Sequence, residues 1–282
     1  MRALASGTAT VGPVNARDDA SPIGIIGGSG LYELLEGAEA VEVDTPYGPP
    51  SEPPRVGTLN GRRVAFVPRH GADHRFPPHG VPYRANLWAL RSLGVRRVLA
   101  PSAVGGLRAD LAPGTLVVPD QVIDSTWGRA WTYFETGAPV HLGFADPYCP
   151  QGRATVAAVD ARMPMQHGGT LVVIQGPRFS TRAESRRNAA AGGDIVGMTG
   201  MPEAALAREL ALCYTTLAVV TDADAGVEAG EAVSHAAVLE QFSRSLDSLR
   251  GVLADVVGAL PVDDECACRH ALDGQTVPFE LP

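Results

Sequence analysis

The sequence predicts an α/β fold: a single domain in which a central mixed β-sheet is flanked by helices. Three observations lead there. Short apolar runs rich in Val, Ile and Leu recur along the 282 residues, as expected of strands buried on both faces. Stretches with helical spacing of apolar residues lie between them. No linker or internal repeat divides the chain after residue 22, and strand–helix alternation over one span is the signature of a layered α/β domain. The length exceeds the usual ~100–200 residues per domain, but α/β folds often reach it as one unit.

In order, residues 1–21 are a polar lead without an apolar segment, expected to be disordered, and residues 22–260 form the domain. The first strand is Ile23-Gly-Ile-Ile-Gly27, running into the small-residue turn Gly28-Ser29-Gly30. Residues 44–57, crowded with Pro and Gly, read as a loop over the sheet. Asn60-Gly61 signals a two-residue hairpin turn into the strand 63–67. A helix is expected from Pro82 to Gly94, then strands at 97–100 and 116–120. Residues 124–150 hold six of the 16 aromatics in a Gly- and Pro-broken background, expected over a pocket or at a subunit contact. Residues 169–174 form a strand, and Thr181 with Glu184 makes a capping box that starts a helix. Ile195–Met198, a helix near Pro202, a strand at 214–221 and a long amphipathic helix over 234–259 complete the domain. Residues 261–282 form a tail that could pack on a neighbouring subunit.

Composition excludes several functions. A net charge of −8 argues against a nucleic-acid or membrane surface. All 23 basic residues are Arg, so neither a Walker-type phosphate loop nor a Schiff-base lysine is present. The four cysteines fit no metal-ribbon spacing and do not resemble a disulfide framework, which suggests a reduced, cytoplasmic protein. Cys266-Ala-Cys268 with His270 lacks a fourth ligand, and His70, His74 and His79 lack a Cys or acidic partner, so no metal site is expected.

Two features suggest chemistry. The last strand ends in Asp222-Ala-Asp224; residues two apart in a strand share a face, so both carboxylates point the same way at a carboxyl end, where ligands of open α/β sheets bind. Asp is also a common turn residue, so this pair alone does not decide the matter. Arg69, His70, His74 and Arg75 form a local positive cluster in an acidic chain, and Arg forks suit planar oxyanions.

The segments Gly27-Gly-Ser-Gly30, Arg69-His-Gly71, Ser102-Ala-Val-Gly-Gly106, Gly176-Pro-Arg-Phe-Ser180, Met198-Thr-Gly-Met-Pro-Glu203 and Thr221-Asp-Ala-Asp224 occur in one order and spacing. Together they resemble the trimeric purine nucleoside phosphorylases, most closely their methylthioadenosine phosphorylase branch, over roughly residues 22–260. The resemblance implies a pentosyltransferase that uses inorganic phosphate as co-substrate, needs no further cofactor and assembles as a homotrimer. It implies that Ser29, Arg69, His70, Ser102, the backbone at Ala103, and Thr199 hold phosphate. Phe179 would stack on the base, Met198 would lie under the ribose, and Asp222, supported by Asp224, would protonate purine N7. Ser180 and His235 would tune specificity, and His141 would reach a neighbouring subunit's substrate.

The implied reaction is phosphorolysis of 5′-methylthioadenosine to adenine and 5-methylthioribose 1-phosphate. The alternative is a broader enzyme acting on adenosine, 6-oxopurine nucleosides or methylthioinosine, and a non-catalytic purine sensor on the same fold is a further possibility. An acceptor at 222 favours a 6-amino group, because a buried acceptor facing a carbonyl is left unpaired. Three positions depart from the pattern: Ser102 replaces a usual Thr, Gln175 a common Glu, and His235 a small apolar residue. An imidazole suits a 5′-hydroxyl better than a thioether, unless His235 merely faces water in the first helical turn.

Overall fold

The computed structural model describes residues 21–28, 30–31, 34–137, 140–224, 234–262 and 266–282; Ser29 and the N-terminal extension lie outside these. The described strands form one mixed sheet: β1 (Ile23–Gly27), β2 (Glu36–Ala40), β3 (Arg55–Leu59), β4 (Arg62–Pro68), β5 (Arg97–Gly106), β6 (Leu116–Val118), β7 (Gln121–Ser125), β8 (Met165–His167), β9 (Thr170–Ile174), β10 (Ile195–Gly197) and β11 (Cys213–Ala223). The helices are α1 (Tyr83–Ser92), α2 (Pro150–Ala158), α3 (Arg182–Ala190), α4 (Gly200–Glu209) and α5 (His235–Ala259).

The centre of the sheet runs β4-β1-β5-β11, all parallel, so the carboxyl ends of these four strands open on one edge. Antiparallel pairs flank it: β2–β3–β4 on one side, β10 and β6 on β5 and β11 respectively. Because strand residues alternate in direction, neighbours serve different cores. Ile26, Val98 and Val220 pack with Leu87 and Leu90 of α1 and Leu206 of α4. Ile25, Leu99 and Val219 pack on the other face with Leu249, Val252 and Val256 of α5.

The turn at Asn60-Gly61 takes φ of 48° and 73°, the left-handed pair a two-residue hairpin requires. Thr181 caps α3 in the expected box, its hydroxyl accepting from the Glu184 amide while Glu184 accepts from the Thr181 amide. Two expectations change. β5 continues past residue 100, where the strand is expected to end, through Pro101 to Gly106, because pairing with β11 along its whole length outweighs the weak strand propensity of Ser, Ala and Gly. β2, β7, β8 and α2 have no clear sequence signal; β2 (Glu-Gly-Ala-Glu-Ala) is a mostly exposed edge strand with no apolar face to read. The C-terminal tail packs on its own chain, where Phe279 meets Trp88, Tyr133 and Phe134.

Candidate active site

β5 is held by β1 only as far as Leu99 and by β10 only from Gly105. Between these points one edge of β5 opens onto a cavity of about 500 Å³, within the size range of small-molecule sites. Ser102 and Ala103 line it from that edge, Arg69 and His70 from the end of β4, Gly28 from the end of β1, and Thr199 from the start of α4. The Thr199 hydroxyl does not cap α4, so the helix leaves it to the cavity. Of the residues implied for phosphate, only Ser29 falls outside the described chain.

Arg69 is buried and anchored on several sides. Its Nε and Nη2 donate to both Glu203 carboxylate oxygens at 2.8 and 2.9 Å, and its Nη groups also donate to the carbonyls of Pro101 and Ile26. Tyr214 donates its hydroxyl to Glu203 at 2.6 Å. Burial opposes the Arg69 charge, but Glu203 more than restores it and holds the guanidinium above its ordinary pKa. Glu203, present in the sequence motif without an assigned role, therefore fixes Arg69 at the cavity wall.

His70 places Nδ1 2.8 Å from the Phe76 carbonyl, so Nδ1 carries a proton, and its ring stacks on His74. Burial pushes the His70 imidazole down to about 4; the Phe76 carbonyl opposes this and the charges of Arg69 and His74 reinforce it. With the folded value below the ordinary 6.5, the unfolded chain binds the proton more readily in between. This contribution to stability is complete above pH 6.5 and is lost as pH falls toward about 4. Urea unfolding across that window should show a steeper acid loss for the wild type than for His70→Gln; parallel curves would rule out His70 as the source.

The other end of the cavity is built on β11. A bulge between Val220 and Asp222 shifts the register against β5, and bulges often re-aim side chains beside active sites. Asp222 and Asp224 then flank Gly105: a Cβ there would lie 3.1 Å from Asp222 Oδ1 and 3.4 Å from Asp224 Cβ. Burial lifts the Asp222 carboxyl above its ordinary pKa, the Thr221 hydroxyl at 2.8 Å opposing and the Asp224 charge adding. Asp224 is buried and accepts a short hydrogen bond from the Ser185 hydroxyl of α3. Ser180 Oγ is buried, without a partner among the described residues, and lines the same space as Phe179 and Met198.

His235, Val238, Leu239 and Phe242 of α5 close a third side. His235 is exposed yet belongs to the cavity lining, beside the His74 ring, whose pKa is lowered by burial and further by the His235 charge. His141 is exposed and does not reach this cavity. Trp127 and Trp131 project to the surface, so the aromatic segment does not roof the pocket.

Arg129 has no sequence signal and is a structural hub. Its guanidinium donates to the carbonyls of Ile174, Gln175, Met198 and Met201, tying the end of β9 to the turn between β10 and α4. Gln175, whose replacement of Glu has no consequence readable from sequence, accepts from Arg129 Nε and from the Trp127 amide. Among the described residues, the group close enough to hold a metal is Cys149, Cys213, Cys266 and Cys268, so the fold supplies Cys266-x-Cys268 with the partners its sequence neighbourhood lacks.

The sequence pattern of the Phosphorylase superfamily matches residues 22–258. A purine nucleoside phosphorylase of Streptomyces coelicolor is 56% identical over 273 residues, 92% of this chain and 97% of the relative. An S-methyl-5′-thioadenosine phosphorylase of Mycolicibacterium smegmatis is 54% identical, covering 92% and 99%. Among solved structures, a methylthioadenosine phosphorylase from an Antarctic soil metagenomic library superposes with a TM-score of 0.81 at 42% identity, covering 91% and 92%. The Schistosoma mansoni methylthioadenosine phosphorylase in complex with adenine gives 0.79 at 37%, covering 86% and 93%.

Proposed function

The chain belongs to the phosphorylase superfamily, and from that premise we propose that it cleaves 5′-methylthioadenosine with inorganic phosphate, releasing adenine and 5-methylthioribose 1-phosphate. The observation that carries this reading is the cavity itself: an anion end, an acid pair and an apolar wall from α5 around one space. Phosphate is a co-substrate held by Arg69, His70, Ser102, the Ala103 backbone and Thr199, with Ser29 completing the set, and no other cofactor takes part.

A phosphate oxygen attacks C1′ as the C1′–N9 bond breaks, and the bonding pair leaves with the purine. Positive charge develops on the sugar beside the phosphate dianion, and negative charge on the base, which Asp222 relieves by giving its proton to N7. Burial, and to a lesser degree Asp224, raise the Asp222 pKa above its ordinary value, which favours the protonated form the step needs. Arg69 and Thr199 supply fixed dipoles and charge at the phosphate, so little reorganisation is needed during the reaction. Phe179 offers a face for the base, Ser180 a hydroxyl at its edge, and Met198 a floor for the ribose.

Val238, Leu239 and Phe242 suit a methylthio group, whereas His235 could bind a 5′-hydroxyl. The S. coelicolor relative, a purine nucleoside phosphorylase, keeps a broader nucleoside range as the second reading. The active form in this reading is a cytoplasmic homotrimer, in which the exposed His141 reaches the 5′ end of a neighbour's substrate.

Purine release from methylthioadenosine, adenosine and inosine, each with and without phosphate, tests these points together. Methylthioadenosine should be the best substrate, and inosine should fall ~5–150-fold below it, the price of an unpaired buried acceptor of ~1–3 kcal/mol. A best rate on inosine would overturn the role of Asp222 in base selection, and no phosphate-dependent product would leave the purine-sensor reading. His235→Val should raise the methylthioadenosine-to-adenosine ratio by ~2–10-fold, the worth of one neutral hydrogen bond. An unchanged ratio would place His235 in solvent, clear of the 5′ substituent.

A further inference from the structure

Four thiols from three separate stretches of chain meet at the end of the sheet remote from the cavity. Cys149 caps α2, its sulfur accepting from the Gly152 amide at 3.3 Å. Cys213 opens β11, and Cys266 and Cys268 stand at the short 3₁₀ turn of the tail, Ala267–His270. All four side chains are buried, and none is paired in a disulfide. Their sulfurs all lie within 4.8 Å of one another, with Cys149 and Cys266 at 3.6 Å.

A buried cysteine ordinarily packs against apolar carbon as a small hydrophobe. Here the four form a cluster of their own, apart from the two main cores. Disulfides would draw the sulfurs into bonded pairs at ~2.05 Å, whereas this arrangement is mutual among all four. A tetrahedral zinc with Zn–S bonds of ~2.3 Å sets its sulfurs ~3.8 Å apart, so the observed cluster needs only a small contraction. Four soft thiolates in a closed tetrahedron select zinc over hard oxygen-loving cations and leave no open position for catalysis.

We propose that Cys149, Cys213, Cys266 and Cys268 form a structural zinc site that clamps the C-terminal tail to the body of the protein. Loading is a proton exchange: Zn²⁺ replaces four S–H protons, giving a tetrathiolate centre of charge −2 and releasing four protons to solvent. Arg97, with Nη1 4.0 Å from Cys213 Sγ, and the Gly152 amide at Cys149 are placed to balance that charge. The site is independent of the reaction proposed above. Cys213 and Asp222 sit at opposite ends of β11, nine residues apart, or ~30 Å at the usual strand rise. The clamp acts on residues 266–282, whose Phe279 seats in the aromatic cluster of Trp88, Tyr133 and Phe134.

The test is elemental analysis of the full-length protein, purified under reducing conditions without chelator or an affinity metal, with thiols titrated before and after denaturation. The result expected is about one zinc per chain, with the thiols shielded in the native protein and four titrating once it is unfolded with chelator. Cys268→Ser and Cys149→Ser should each lower bound zinc at least tenfold, to below ~0.1 per chain, since a closed site needs all four ligands. Should these variants fail to fold, the wild type loaded with Co²⁺ after zinc removal reads the same geometry, through thiolate-to-cobalt charge transfer and intense visible bands. A reduced wild-type protein that binds neither Zn²⁺ nor Co²⁺, a native protein carrying two disulfides that remains metal-free after reduction, or one isolated with iron in place of zinc would each overturn the assignment.

Discussion

Asp222→Asn should lower turnover on adenine nucleosides by ~10²–10⁴, the usual worth of a positioned general acid, while leaving the affinity for phosphate nearly unchanged. Asn keeps the shape of the side chain and its contact with Thr221 but has no acidic proton to transfer. The loss should therefore appear in kcat rather than in KM. Asp224→Asn provides the complementary measurement. Removing the negative neighbour makes ionisation of Asp222 easier and lowers its pKa, so the protonated donor is lost at lower pH and the alkaline limb of the rate profile moves toward acid. A full rate for Asp222→Asn would remove it from the proton-transfer step. An unmoved alkaline limb in Asp224→Asn would reduce Asp224 to a structural partner of Ser185.

Many of the residues that line this cavity are legible in the sequence because they sit where strands end. The Asp222-Ala-Asp224 spacing, the Arg69-His70 pair and the small residues after Ala100 are local signals, and alternation along a strand is enough to put both carboxylates on one side of Gly105. What could not be read depends on groups distant in sequence. Glu203 meets Arg69 across 134 positions, and Arg129 meets the Met198 carbonyl across 69. Neither partner has a periodicity or a fixed spacing that announces the other. The cysteines show this most clearly: Cys149 and Cys266 are 117 residues apart, so a spacing rule built for local ribbons passes over them. The fold misses have a related cause. β5 is prolonged past Ala100 by its partner β11, not by its own residues, and β2 is an exposed edge strand with no hydrophobic alternation to read.

Glu203→Gln should destabilise the protein by about 3–5 kcal/mol, the cost of leaving one partner of a buried ion pair uncompensated. The substitution keeps the volume and removes the charge. Arg69 cannot relax into solvent, because it is buried and its remaining donors are held by the Pro101 and Ile26 carbonyls. Tyr214, which donates to Glu203 in the wild type, keeps an amide oxygen as a weaker acceptor, so the loss is mainly electrostatic. Chemical unfolding measures this directly, and a loss under ~1 kcal/mol would mean that the pair is not the anchor its burial implies. Phosphate adds a second, sharper reading. A ligand that binds only the folded state stabilises it by about 2.7 kcal/mol at a hundred times its Kd. In the variant the dianion is also the counter-charge that Arg69 has lost, so phosphate should restore more stability to Glu203→Gln than it adds to the wild type. Equal increments would place the phosphate beyond the reach of Arg69 and move the anion site toward His70, Ser102 and Thr199.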